Sequence, residues 1–217
     1  MSHGAATNTV TVDGTAVEVA PGATILDAAT AAGRWVPTVC FDDRQAPFGA
    51  CRVCLVAVEG SPKPLPACTT PCRDGMVVET EEPTARRVSR TVVELVLSEL
   101  PEPPAPHTEL ARVAARLGVA GTRWSGAVHH GDDDLRHPYL ALRHELCISC
   151  GRCIRACDEI QGAFALTATG RGFEANIAAG LDAGFEDSTC VSCGACADTC
   201  PTDAISEISL VAQLERS

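Results

Sequence analysis

Polar and apolar residues alternate along residues 9–19, with Asp13-Gly14 at the centre of the stretch. Alternation of period two turns one face of each strand inward. Asp-Gly supplies the positive backbone angles of a tight two-residue turn, so the pattern predicts a β-hairpin. Pro21-Gly22 breaks the second strand, and residues 23–32 form a short apolar stretch suited to a helix that Gly33 ends. A loop holding Cys40, Cys51 and Cys54 follows, then a strand at residues 55–58 and a strand pair within residues 65–80. A hairpin, a helix packed across it and later strands predict a small β-grasp domain over residues 1–82.

From Pro83 the period changes. Val88, Val92, Leu95 and Val96 recur at helical spacing, predicting a helix to about residue 100 with those four side chains on its apolar face. Pro101-Glu102-Pro103-Pro104-Ala105-Pro106 suits neither helix nor sheet and forms a stiff connector. A short helix at residues 108–117 stops at Gly118. Residues 121–134 are rich in glycine, histidine and aspartate and predict a solvated loop. His129-His130 beside Asp132-Asp133-Asp134 is accordingly read as solvated polar surface rather than a metal site. Residues 83–139 thus form a helical connector ahead of a third region, 140–217. The fold class is α+β.

Thirteen cysteines change the picture. Eight form two runs, Cys147-Cys150-Cys153-Cys157 and Cys190-Cys193-Cys196-Cys200, each spaced C-x2-C-x2-C-x3-C. Three thiolates on one tight loop can reach three irons of a cubane, while the fourth points to the neighbouring cluster. This is the signature of a two-cluster ferredoxin. It predicts one 4Fe–4S centre on Cys147, Cys150, Cys153 and Cys200, and another on Cys157, Cys190, Cys193 and Cys196. Structural zinc sites usually pair two C-x2-C knuckles, so zinc fits these runs poorly. Cys150-Gly151-Arg152-Cys153 and Cys193-Gly194-Ala195-Cys196 align as an internal repeat, in which glycine lets the backbone turn closely around sulfide. Residues 140–217 are therefore a two-cluster 4Fe–4S ferredoxin-like domain.

Cys40, Cys51, Cys54 and Cys68 are spaced C-x10-C-x2-C-x13-C, which is not the plant-type ferredoxin pattern. Spacing places four thiolates near one β-grasp loop and leaves an iron–sulfur cluster and zinc both open. A thioredoxin-like use of Cys51 and Cys54 would need a βαβ unit that the pattern lacks. Cys72 is the odd cysteine and reads as a small apolar residue or spare thiol, its rival role being that of an alternative ligand after damage at Cys68.

Composition narrows the partners. Aromatic residues make up only 4% of the chain, so clusters must replace part of the core, and the apoprotein is expected to be at best partly folded. The formal charge is −11 with cysteines neutral; each oxidised cluster with its thiolates adds two negative charges, taking the total to about −17. Nucleic acid is excluded as a partner, and a basic patch on a redox protein is suited. No run approaches the length that spans a bilayer, and the first ten residues do not read as an export signal. An odd number of cysteines in dense runs then indicates metal in a reducing cytoplasm, not disulfides. No glycine-rich motif follows a strand to cradle a nucleotide, and no nucleophile constellation is present, so no catalytic, flavin or NAD site is expected in this chain.

Three groups of residues carry a family resemblance. They are Pro37-Thr38-Val39-Cys40; Gly49-Ala50-Cys51-Arg52-Val53-Cys54; and Ala67-Cys68-Thr69-Thr70-Pro71 with Asp74-Gly75-Met76. With Arg171-Gly172-Phe173 and the two ferredoxin runs, they resemble the N-terminal region of NAD-dependent formate dehydrogenase catalytic subunits. The same motifs resemble the large peripheral subunit of respiratory complex I and the small diaphorase subunit of NAD-reducing hydrogenases. The resemblance covers nearly the whole chain. It implies a 2Fe–2S cluster on Cys40, Cys51, Cys54 and Cys68.

Two features depart from these families. They usually carry a further 4Fe–4S site bound through H-x3-C-x2-C-x5-C; here Leu100 stands where its histidine would fall, and no cysteine occurs between residues 73 and 146. That cluster is expected to be absent. The pterin domain of the formate dehydrogenases is also not found in these residues, and the catalytic part is expected on another polypeptide. The resemblance implies an electron-transfer subunit between a flavin/NAD diaphorase and a molybdenum- or tungsten-pterin oxidoreductase, formate dehydrogenase foremost. The alternatives are a free ferredoxin-like carrier and an iron–sulfur sensor or assembly factor.

Overall fold

The computed structural model describes residues 7–129, 131–180 and 184–209. His130, whose surface reading is given above, and most of the N-terminal stretch read for an export signal lie outside the described residues. The chain divides into two compact units. One comprises residues 1–41 and 47–93, the other residues 42–46 and 94–217.

The first unit is a five-stranded sheet with a helix across it. Strands β1 (Asn8–Val12) and β2 (Thr15–Val19) pair antiparallel around the two-residue turn, with Val12 opposite Thr15. Asp13 and Gly14 both have positive φ there, 47° and 79°, as a turn of that hand requires. The Asp13 carboxylate also accepts from Thr80 N at 2.8 Å and Thr80 Oγ1 at 2.7 Å, anchoring the far end of the sheet. Strands β3 (Leu55–Val58), β4 (Leu65–Pro66) and β5 (Val77–Glu79) complete the order β2-β1-β5-β3-β4, in which β1 and β5 run parallel. Helix α1 (Ile25–Ala31) starts from a capping box: Thr24 Oγ1 accepts from Asp27 N at 3.3 Å and Asp27 Oδ2 accepts from Thr24 N at 2.7 Å. Val10, Val12, Ile25, Ala28, Ala29, Val56 and Val78 are fully buried between helix and sheet. Cys72 lies in this core.

Helix α2 (Pro83–Ser98) departs from its sequence reading. The buried positions are Ala85, Ser89 and Val93, whereas Val88, Val92 and Val96 are half-buried and Leu95 is exposed. Small side chains four residues apart let a helix approach its neighbour closely. Ser89 satisfies its hydroxyl on the carbonyl of Ala85 at 3.0 Å, which makes a buried serine tolerable.

In the second unit, α3 (Glu109–Leu117) is capped by Thr108, whose Oγ1 accepts from Ala111 N, and ends at Gly118 with φ 69°. Two small antiparallel sheets follow. Strand β6 (Leu140–Leu142) pairs with β9 (Ile205–Glu207), and β7 (Leu166–Thr169) pairs with β8 (Asn176–Ala179). Single-turn helices α4 (Arg152–Arg155) and α5 (Ala195–Asp198) each begin immediately after a left-handed glycine, Gly151 and Gly194. Leu140, Leu142, Ile177, Phe185 and Ile205 pack with the cysteines as one core.

Most described residues of 121–134 are exposed, as a solvated loop requires, but His129 and Asp134 make tertiary contacts. His129 stacks on Phe173 with centroids 4.4 Å apart and bonds Glu99 at 3.2 Å. Asp134 is buried, accepting from Phe185 N at 2.7 Å and pairing with Arg136. Both residues hold chain segments that are distant in sequence, a role that local polarity does not reveal.

Candidate metal centres

In the first unit, Cys40 and Cys51 bracket a loop, Cys54 leads into β3, and Cys68 follows β4. Cys40, Cys54 and Cys68 are buried. Their sulfurs converge: Cys54 Sγ lies 3.3 Å from Cys68 Sγ, and Cys51 N donates to Cys40 Sγ at 3.4 Å. Val53 N donates to Cys51 Sγ at 3.5 Å, a direction set by Arg52 in the left-handed region at φ 61°. Gly49 is similarly constrained. At φ 70°, a Cβ there would come within 2.9 Å of Thr69 Cγ2. The Cys51 thiol donates to Cys40 and brings it down to about 6, while Cys51 itself is pushed up. Cys68 is lowered and Cys54 raised by the same sharing. Four sulfurs in two proton-sharing pairs suit a cationic core that displaces the protons.

In the second unit, the two ferredoxin runs line two separate apolar cavities, and each run lends its last cysteine to the other. One cavity is walled by Cys147, Cys150, Cys153 and Cys200, with Leu142, Ile177 and Ile205. The second is walled by Cys157, Cys190, Cys193 and Cys196, with Leu140, Leu166 and Phe185. The backbone repeats from one run to the next. Ser149 and Gly151 take φ 52° and 75°; Ser192 and Gly194 take 58° and 77°. This conformation turns amides inward, so Ser149 N donates to Cys147 Sγ and Ser192 N to Cys190 Sγ, each at 3.4 Å. Ala165 N donates to Cys157 Sγ at 3.2 Å. Burial pushes the thiols of Cys150 and Cys196 up to about 12 and raises Cys147 and Cys153. Such thiols ionise when a metal takes the proton's place. Inward amides, apolar walls and four sulfurs around each cavity fit iron–sulfur clusters.

Three residues that the sequence reading passed over surround these sets. Arg152, between Cys150 and Cys153, is buried; its Nη1 donates to Glu109 at 2.7 Å and its Nε to Thr199 Oγ1 at 2.9 Å. Asp42 accepts from Thr199 Oγ1 at 2.6 Å and from Arg152 at 3.4 Å. Hydrogen bonds from Arg44 hold the Asp42 carboxyl well below the usual carboxylate range. His137 is buried with Nε2 near Cys190, and burial lowers its basicity. Only the position of Arg152 inside the motif offered a signal. Asp42 and His137 lie far in sequence from the Thr199 and Cys190 side chains that they contact.

Elsewhere, Cys72 is buried in the β-grasp core, and that burial raises its thiol. His107 is exposed and bonds Asp203 at 2.6 Å. Around Leu100 the connector forms a groove of about 630 Å³ lined by Leu97, Pro103, Ala111, Ala114 and Val119, with no cysteine or histidine in its wall.

The chain matches a 2Fe-2S iron-sulfur cluster binding domain over residues 5–83 and a 4Fe-4S dicluster domain over residues 146–204. It is therefore an iron–sulfur protein, with one 2Fe–2S and two 4Fe–4S clusters as its cofactors. Among curated proteins it is 34% identical to the NADP-reducing hydrogenase subunit HndD of Solidesulfovibrio fructosivorans, over 92% of this chain and 36% of that one. It is also 30% identical to the mitochondrial NADH-ubiquinone oxidoreductase 78 kDa subunit of Neurospora crassa, over 90% of this chain and 27% of the relative. The chain thus spans roughly a quarter to a third of these relatives. Among solved structures, the crystal structure of the NAD+-reducing [NiFe]-hydrogenase in the H2-reduced state superposes with a TM-score of 0.86. That match has 28% identity and covers 94% of this chain and 89% of the other. The resemblance to complex I and hydrogenase subunits stands. No described helix is long and apolar enough to cross a membrane.

Proposed function

We propose that this chain is the electron relay of a multi-subunit cytoplasmic oxidoreductase. It passes single electrons between a flavin/NAD subunit and a molybdenum- or tungsten-pterin catalytic subunit, formate dehydrogenase foremost. The observation that carries this reading is the set of three four-thiol groups, two of them lining apolar cavities. Likeness over nine-tenths of the chain to proteins named for NADP or NADH supports the diaphorase side. The proposed ligands are Cys40, Cys51, Cys54 and Cys68 for 2Fe–2S, and the two crossed sets for 4Fe–4S. When bound, the clusters supply one-electron redox steps. The chain buries the ligands, aims amides at sulfur and holds neighbouring charge fixed, which are the levers that set potentials.

A second reading replaces the pterin subunit with a hydrogenase, favoured by the 0.86 TM-score to the NAD+-reducing enzyme. Anaerobic capture from native cells through a tag on this chain separates the readings. Stoichiometric recovery of a flavin/NAD subunit and a pterin protein, with clusters bleached by NADH and by formate, is expected. Bleaching by H2 but not formate selects the hydrogenase reading. Recovery of the chain alone, reducible by neither, contradicts both and points to a free carrier.

A further inference from the structure

His137 has both ring nitrogens committed. Its Nδ1 accepts from Tyr139 N and Leu140 N, each at 3.0 Å. An atom facing two amide donors cannot carry a hydrogen itself, so in the neutral ring the proton is on Nε2. Nε2 lies 3.7 Å from Cys190 Sγ and 3.2 Å from Ser192 Oγ. The ring is steadied edge-on by Tyr139 and Phe185, with centroids at 5.9 and 5.5 Å. The other ferredoxin set receives something different, a hydroxyl contact from Thr202 to Cys200 Sγ at 3.7 Å, in which either atom can donate. The backbone donors of the two repeats are otherwise matched at 3.4 Å.

We propose that His137 sets the two 4Fe–4S centres apart, its Nε2–H donating to Cys190 Sγ and raising the potential of the centre that Cys190 serves. A hydrogen bond to a ligand sulfur withdraws charge from it and favours the reduced state, which carries one more negative charge. One electron enters and leaves; the ring keeps its proton, because Nδ1 is held by the two amides. A difference between centres gives electrons a preferred resting place near Cys193, the exposed member of the set. The inference rests on the ligand assignment proposed above.

The test is an anaerobic redox titration of the holoprotein followed by electron paramagnetic resonance. His137→Asn keeps an acceptor for the two amides and removes the donor; His137→Gln retains a donor near Nε2. At the wild-type midpoint, His137→Asn is expected to raise the oxidised-to-reduced ratio of one 4Fe–4S centre about tenfold, equivalent to about 59 mV for one electron. His137→Gln should recover most of that change, and the other two centres should not move. Ser192→Ala should leave the midpoint near that of the wild type; a loss equal to that of His137→Asn would assign the effect to the hydroxyl and overturn direct donation. Unchanged potentials in a fully loaded His137→Asn protein overturn the proposal. If that variant fails to load, histidine-labelled wild type decides. Coupling of the imidazole 15N and an exchangeable proton to one reduced centre supports the inference, and its absence refutes it. Fewer than two 4Fe–4S centres in wild type would instead sink the ligand assignment.

Discussion

Cys200 ends the second ferredoxin run in sequence but lines the cavity of the first, and Cys157 ends the first run but lines the cavity of the second. Cys200→Ser should therefore damage the same centre as Cys150→Ser and leave the centre of Cys193 intact, as read by paramagnetic resonance. A Cys200→Ser lesion matching that of Cys193→Ser would refute the crossing. Asp42 is the second sensitive residue. Its carboxylate is shared by Arg44, Thr199 and Arg152; without it Arg152 keeps Glu109 and Arg44 keeps Asp198, but both lose their buried charged partner. Asp42→Ala is expected to cost about 3 kcal/mol, read as a lowered midpoint in an anaerobic melt followed at the cluster absorbance. The cysteines were legible because ligand spacing is local geometry. Asp42 was not, since its bond to Thr199 spans 157 residues.

The hairpin turn and the helix-ending glycines made β1, β2, α1 and α3 legible. Asp13-Gly14, Pro21-Gly22, Gly33 and Gly118 each act on the chain within a few residues. The inward face of α2 was misread because periodicity favours the larger apolar residues, while close packing selected Ala85, Ser89 and Val93. Ser89→Leu should overfill that contact and cost about 1–3 kcal/mol in a melt. Leu95→Gln, on the exposed face, should change stability by less than about 0.5 kcal/mol. The reverse order of effects would restore the valine-rich face as the buried one.

Across the whole molecule, burial is supplied by small aliphatic side chains and cysteines. Among the described residues Phe185 is the largest fully buried side chain, and the apolar walls of two cavities consist partly of cysteines. Removing the iron takes away the cross-links at the centre of that packing, so the apoprotein should lose its cooperative melt and regain it on anaerobic reconstitution. A native-like melt of iron-free protein would show that the core suffices alone. The most direct measurement is iron, acid-labile sulfide and zinc on anaerobically purified protein, together with paramagnetic resonance of the reduced state. Twelve cysteines holding one 2Fe–2S and two 4Fe–4S clusters predict about ten irons and ten sulfides per chain, with three distinct reduced centres. Colourless protein with stoichiometric zinc and no labile sulfide would contradict it.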